Sequence, residues 1–234
     1  MTSTALETWD FWDDGRHDPA FNMAADEVLL ESSQERGRPL LRFYGWDCLA
    51  VSIGYVQRLD AAPAGFAVVR RPTGGGVVYH DHDFTYTVVV PTGHWLMSLD
   101  RVQSYDRINQ AVQAGLAELS CAADLADEDI PHSVDRLTMV CFQNPTKYDV
   151  LLNGVKIAGS AQRRTVHGLL HQGSIHFGGP LPYPRQRLTQ ALHHAFGAVL
   201  SITTVPFIPT DTLLQDIALR RDTKYATQEW NARR

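Results

Sequence analysis

The chain has 234 residues, 44% apolar and 20% charged, with a formal net charge of −5; that is enough for one large domain with a real core and cramped for two. The acidic balance gives no global attraction to nucleic acid or to anionic membranes. The polar, acidic start MTSTALETWDFWDD is no secretory signal, and no window reaches the ~18 apolar residues that span a bilayer, so a cytoplasmic protein is expected.

Asp18 and Pro19 supply a cap and a pre-set first turn, and Phe21, Ala24, Ala25, Val28 and Leu29 then recur at helical spacing, predicting a helix over about 19–35. LLRFYGW and LAVSIGY, roughly 40–46 and 49–55, are β-prone runs separated by Asp47 and Cys48, for which a hairpin is the simplest reading. Residues 66–70 and 77–79 read as strand segments flanking three glycines, and Phe84, Tyr86, Val88 and Val90 mark one apolar face of another strand. A longer helix is predicted over about 100–119, followed by a solvated acidic loop, ADLADED, at 123–129.

Asn153-Gly154, between YDVLL and VKIAG, is the strongest hairpin signal in the chain, since a tight primed turn needs positive φ at both central positions. A two-residue loop pairs Leu152 with Val155, Leu151 with Lys156 and Asp149 with Ala158. Alternation then puts Tyr148, Val150, Leu152, Val155 and Ile157 on a core face, and Asp149, Leu151, Lys156, Ala158 and Ser160 on the other. GLLHQGSIHF, 168–177, reads as a further strand and RQRLTQALHHAFGAVL, 185–200, as a late helix. Strands in hairpins interrupted by a few helices indicate an α+β fold, with a mixed, largely antiparallel sheet flanked by helices.

The stretch RRPTGGGVVYHD, Arg70 to Asp81, lacks the GK[ST] ending of a P-loop and has no GxGxxG entering a helix. The residues after the glycines are strand-like, so no helix N-terminus is there to meet a phosphate. Three glycines permit close approach of backbone to a ligand, with Arg70 or Arg71 available to an anion; they also suit a tight turn in which they serve geometry alone. Cys48, Cys121 and Cys141 are an odd number without a CxxC pair, so neither a disulfide framework nor a zinc site is indicated.

RRPTGGGVVYHD resembles the RRxxGGGxVxHD signature of the lipoate-protein ligase and octanoyltransferase superfamily, which shares its catalytic fold with biotin protein ligases. FNMAADEVLL is similar to the family's first helix, LRFYGWDCLAVSIGY to the strand pair after it, NGVKIAGSAQRR to its lysine hairpin, and HQGSIHF to the strand after that hairpin. The resemblance implies one biotin/lipoyl-ligase-type catalytic domain over 1–234, the glycine loop closing over a medium-length acyl chain. Arg71, Gly74, Gly75, Gly76 and His80 match that loop, and Gly159, Ser160, Ala161 and His171 match the acyl-binding strands. Lys156 matches the lysine that contacts the acyl carbonyl. About 35 residues follow the last predicted helix, too few for the accessory domain that many ligases carry.

The superfamily contains ATP-dependent ligases and cysteine-dependent octanoyltransferases. CFQNPTKYDVLLNGVK resembles the CFxxPSxYE segment of the latter and lacks the GRND-like segment of the ligases, and Gln172 follows His171 where ligases often have two histidines. The resemblance therefore implies Cys141 as nucleophile and Lys156 as its partner, with octanoyl-acyl carrier protein as donor, a lipoyl domain as acceptor, and no metal or cofactor. Transfer between lipoyl domains by the same chemistry is an alternative, as is an ATP- and magnesium-dependent ligase. A thioester keeps the acyl group reactive toward an amine where a serine ester would be too inert. A thiol of pKa about 8.5 is a few per cent ionised at pH 7; lowering it by ~1.5, roughly 2 kcal/mol, is within reach of one ammonium. Spacing alone does not place Cys141 near Lys156; loop 142–147, stiffened by Pro145, must fold it back. Cys48 and Cys121 read as small buried hydrophobes. Lys147, Arg163, Arg164, Arg185 and Arg187 are expected to offer a local basic surface to an acidic carrier protein.

Overall fold

A computed structural model describes residues 6–128, 137 and 139–233. The acidic N-terminal segment forms strand β1 (Glu7–His17). Its tryptophans Trp9 and Trp12 are buried, while Asp10 is paired with Arg36 and Arg38, and Asp14 with Arg42, which is how so acidic a segment enters a core. Helix α1 (Pro19–Glu31) starts at the predicted place, with the Asp18 carboxylate accepting the Phe21 N–H at 2.9 Å. It stops earlier than expected; a separate turn, α2 (Ser33–Arg36), carries the chain to Gly37, whose φ of 70° ends the helical run. Strands β2 (Leu40–Trp46), β3 (Ala50–Ile53), β4 (Ala67–Arg70), β5 (Val78–His80) and β6 (Phe84–Pro91) come next, then α3 (Trp95–Ser98) and α4 (Arg101–Glu118), the latter opened by a capping box between Asp100 and Gln103. The remaining elements are β7 (Asp124–Leu125), β8 (Val150–Leu152), β9 (Val155–Thr165), β10 (Gly168–Ile175), α5 (Arg185–Leu200), β11 (Ile202–Pro206), α6 (Asp211–Arg220) and α7 (Gln228–Ala232).

Eight strands form one sheet in the order β11-β1-β2-β6-β10-β9-β8-β7, with β1 parallel to both its neighbours and the other pairings antiparallel. A second sheet holds β4-β3-β5. Helices α4 and α5 cover one face of the large sheet through Ile108, Val112, Leu116, Leu188, Leu192 and Phe196. Helix α1 and the C-terminal helices cover the other, through Met23, Ala25, Val28, Leu29 and Ile217. Among the described residues no helix is long and apolar enough to cross a membrane.

Two sequence expectations fail. LLRFYGW and LAVSIGY are not a hairpin: β2 lies between β1 and β6 in the large sheet, and β3 between β4 and β5 in the small one. Every residue of both strands is buried, so each is a central strand that must be covered on both faces and paired along both edges, which a hairpin partner alone cannot do. The acidic stretch 123–128 is likewise not simply a solvated loop, and Asp129 lies outside the described residues. Ala123 and Ala126 are buried, and Asp124 and Leu125 pair with Leu151 and Val150.

Candidate active site

The Asn153-Gly154 turn forms as its sequence requires, with φ of 51° and 78° at its two residues. Leu152 faces Val155 and Leu151 faces Lys156, as predicted, but the next pair is Val150 with Ala158, not Asp149 with Ala158. β9 carries one extra residue there, a bulge that periodicity cannot reveal. The bulge carries Val150, Ile157 and Ala158 together into the core, while Val155 is left exposed at the turn. Asp149 and Lys156 remain on a common side.

There the Lys156 ammonium lies 2.7 Å from Asp149 Oδ2 and 3.3 Å from Cys141 Sγ, to which it donates. The side chains of Lys156 and Asp149 are each only 1% exposed. Burial pulls the Lys156 pKa down, but the negative charges of Cys141 and Asp149 outweigh it and leave Lys156 above the ordinary lysine value, an ammonium at neutral pH. Space for it comes from Gly159: a Cβ at that position would overlap Lys156 Cε and come within 2.7 Å of Nζ. Asp149 is itself fixed, its Oδ2 accepting from the Thr146 N–H at 2.6 Å and hydroxyl at 2.8 Å, and its backbone N–H donating to the Thr146 carbonyl. Tyr148, at φ 68°, turns the chain into this position and is held through its carbonyl by Asn109 Nδ2 at 2.8 Å. Asp149 was on the lysine face of the predicted hairpin, yet sequence reasoning gave it no role.

The glycine run explains how Cys141 reaches this site. Val77, directly after the run, bridges Val140: its N–H donates to the Met139 carbonyl at 2.8 Å, and the Cys141 N–H donates to the Val77 carbonyl at 2.9 Å. Gln57 Nε2 also donates to Met139 O, at 3.0 Å. The approach is so close that a Cβ on Gly76 would stand 2.5 Å from Met139 O and 2.9 Å from Cys141 N. Cys141 starts a 3-10 turn, Cys141–Gln143, and is half-buried.

Neither arginine before the run is left free for an anion. Arg71 donates to the carbonyls of Ser52, Gly74 and Gly76, at 3.0, 2.6 and 2.7 Å, and so braces the glycine turn from inside; burial without a carboxylate partner lowers its pKa. Arg70 is fully buried and donates to the carbonyls of Gly54, Tyr55, Gln57, Trp230, Asn231 and Arg233, tying the C-terminal helices to the loop after β3. These two side chains satisfy buried carbonyls, the demand that irregular backbone makes in a core.

Behind Cys141 opens a cleft between the two sheets and α1. Of the residues singled out in the sequence, Arg71, Gly75, His80, Cys141, Gly159, Ser160 and Ala161 line it. Its walls also include Met23, Trp46 and Val78, apolar groups suited to a hydrocarbon chain. His80 stacks on Trp46 with ring centres 3.8 Å apart, its Nδ1 on Asp83 at 2.8 Å and its Nε2 on Ser52 Oγ at 2.8 Å. The Asp83 side chain is 2% exposed; burial alone would raise its pKa, but His80 and hydrogen bonds from Ser174 and Thr85 hold it below the ordinary carboxylate value. Gly74 borders instead a larger neighbouring cavity, which shares Gly75, Ser160 and Ala161 with the cleft.

His171 does not line the cleft, contrary to its expected acyl contact. Strand alternation turns it to the opposite face of β10, where it is wholly buried between Tyr86 and Tyr105, its Nδ1 3.0 Å from Gln162 Nε2. Its neighbour Gln172 lines the cleft instead, donating to the buried Asp26 at 2.6 Å and accepting from Thr73 at 2.7 Å, so it links α1 to the glycine loop. Cys121 is buried as expected, but Cys48 is exposed in the turn after β2.

The five basic residues do not share one surface. Lys147 is exposed at the rim of the larger cavity. Arg163 donates to Pro72 O, and Arg164 is used up capping the carbonyls of Met97 and Leu99. Arg185 lines a separate cavity with Arg16 and Leu181, and Arg187 is exposed two residues later.

Residues 18–200 match the family described as Lipoyl protein ligase A/B catalytic domain. A relative from Halalkalibacterium halodurans, named octanoyltransferase LipM, is 32% identical over 98% of this chain and 100% of its own length. One of the same name from Bacillus subtilis is 31% identical over 97% and 99%. The crystal structure of lipoate-protein ligase A bound with ATP superposes with a TM-score of 0.81, covering 96% of this chain and 98% of that one at 23% identity; this is a likeness of fold.

Proposed function

The chain belongs to the lipoyl protein ligase A/B catalytic domain family, and we propose on that premise that it is an octanoyltransferase of lipoate biosynthesis. In this reading it takes an octanoyl group from acyl carrier protein onto Cys141 and passes it to a lysine of a lipoyl domain. The observation that carries the reading is the Lys156 ammonium 3.3 Å from Cys141 Sγ, where Cys141, though not Lys156, lines a cleft with apolar walls. A negative charge formed on sulfur during the reaction sits beside a fixed positive one, in surroundings poor in water, where charge interactions are strong. The extended sequence match to relatives named octanoyltransferase supports the same chemistry.

The first half-reaction is attack of the Cys141 thiolate on the donor thioester. A Cys141–acyl bond forms, the donor carbon–sulfur bond breaks, and Lys156 gives a proton to the departing thiolate. The acyl tail lies in the cleft against Met23, Trp46 and Val78, beneath the glycine loop that Arg71 braces. In the second half-reaction a lipoyl-domain amine attacks the thioester and Cys141 leaves as thiolate. No metal or cofactor takes part in this scheme, and a cytoplasmic setting, where thiols stay reduced, suits a free cysteine nucleophile.

The test is intact-protein mass spectrometry after incubation with octanoyl-acyl carrier protein in the absence of ATP. The expected result is a hydroxylamine-labile octanoyl adduct that is absent in Cys141→Ala. Absence of any adduct, together with ATP-dependent modification of a lipoyl domain by free acid, would make the protein a ligase instead.

A further inference from the structure

Asp149 has a geometry that the two half-reactions leave unused. Its side chain is buried with Lys156, fixed by two hydrogen bonds from Thr146 to Oδ2, while Oδ1 has no hydrogen-bond partner among the described residues. An incompletely satisfied buried carboxylate is costly unless the charge itself is needed. The titratable and charged groups around the pair are Cys141 and, near it, Arg71 from the glycine loop, with Tyr105 from α4 and Tyr86 from β6. Burial holds both phenols neutral, so Asp149 and Cys141 are the groups that offset the ammonium.

We propose that Asp149 is the positioning residue of the second half-reaction, holding Lys156 as the group that takes the proton from the incoming lysine ammonium. The inference rests on the octanoyl-transfer reading. After the first half-reaction Cys141 is an uncharged thioester and Lys156, having protonated the donor thiol, is a neutral amine. The acceptor arrives as an ammonium and must lose a proton before its nitrogen can attack. Two lysine amines of equal ordinary pKa would share that proton evenly, and burial would tilt the balance against Lys156. With Cys141 discharged by acylation, Asp149 is the remaining negative charge in contact with Lys156. The proton therefore passes from the acceptor ammonium to Lys156. The acceptor amine then adds to the thioester carbonyl, the carbon–sulfur bond breaks, and Cys141 returns as thiolate beside the Lys156 ammonium. The second proton of the new amide nitrogen goes to solvent, so each full turn releases one proton.

This separates the two half-reactions in size. Asp149→Asn keeps an oxygen for the Thr146 N–H but removes the charge, so Cys141 acylation by octanoyl-acyl carrier protein, in which Lys156 gives up a proton, should slow by less than the lysine transfer that follows. Transfer from the acyl-enzyme to a lipoyl-domain lysine should slow by about tenfold or more at neutral pH, the equivalent of one pKa unit of proton transfer, and recover as pH rises. Hydroxylamine, already neutral at pH 7, should discharge the variant acyl-enzyme at the wild-type rate, and formation of that acyl-enzyme from octanoyl-acyl carrier protein shows that the variant is folded. If Asp149→Asn does not fold, Asp149→Glu, which keeps the charge displaced by one methylene, should give a lysine-to-hydroxylamine rate ratio close to wild type. Equal slowing of acylation, lysine transfer and hydroxylamine discharge would reduce Asp149 to a structural part, and an unchanged lysine rate would overturn the proposal. If wild-type protein forms no acyl adduct, the octanoyl-transfer reading itself fails.

Discussion

Replacing Gly76 by alanine tests how the cysteine is brought to the lysine. The added Cβ meets backbone, Met139 O at 2.5 Å and Cys141 N at 2.9 Å, so no flexible side chain can turn away to relieve it. At risk are three hydrogen bonds that dock the cysteine loop: Val77 N–H to Met139 O, Cys141 N–H to Val77 O, and Gln57 Nε2 to Met139 O. At roughly 1 kcal/mol each they amount to about 3 kcal/mol, or about two decades in the population of docked loop. The control lies two residues away, since a Cβ on Gly74 meets nothing within 4 Å and its backbone is not in the left-handed region. Gly76→Ala should cut the rate of Cys141 acylation by about 100-fold while the protein keeps a cooperative melt, and Gly74→Ala should stay within a few-fold of wild type. The assay is quench-and-mass-spectrometry of the adduct, with thermal unfolding beside it. Equal acylation rates in the two variants would refute the docking argument.

Two further outcomes concern stability. Arg70→Lys replaces a planar fork bonded to six carbonyls with a single ammonium of three donors. A loss of about 3 kcal/mol is expected from the bonds that cannot be reproduced; limited proteolysis should release fragments carrying α6 and α7, and an intact cleavage pattern would contradict it. His171→Phe should change the pH dependence of folding. Burial lowers the His171 pKa from 6.5 to about 3, so between those values the folded state binds fewer protons than the unfolded state. The stability this group contributes is therefore present above about 6.5 and lost as pH falls toward 3. Urea unfolding at pH 7 and pH 4.5 should show a steeper acid loss in wild type, by up to about 1.4 kcal/mol per pH unit, and equal slopes would count against it.

Local signals settled much of the fold. Asp18-Pro19, the 185–200 periodicity and Asn153-Gly154 mark their elements because a cap, an amphipathic stripe and a positive-φ turn are decided by residues close in the chain. Strand β1 was not legible, because its aspartates are neutralised by arginines from other elements. The partners of β2 and β3 were illegible too: a wholly buried strand reads the same whichever sheet receives it. His171 and Gln172 show the narrowest margin, since adjacent strand residues face opposite sides and only the sheet's position says which side is the cleft.

Within the site, the sequence by itself determined the chemical groups: a glycine run, a cysteine and a hairpin lysine, with an acidic residue on the lysine's face. The tertiary structure decided their use. A bulge in β9 set the register beside Lys156, and backbone contacts made possible by Gly76 carried Cys141 to 3.3 Å from Lys156 across fifteen positions of chain. The glycine run that looked like a ligand loop is also a docking edge for the nucleophile, because a residue without a side chain is as open to another part of the backbone as to a substrate.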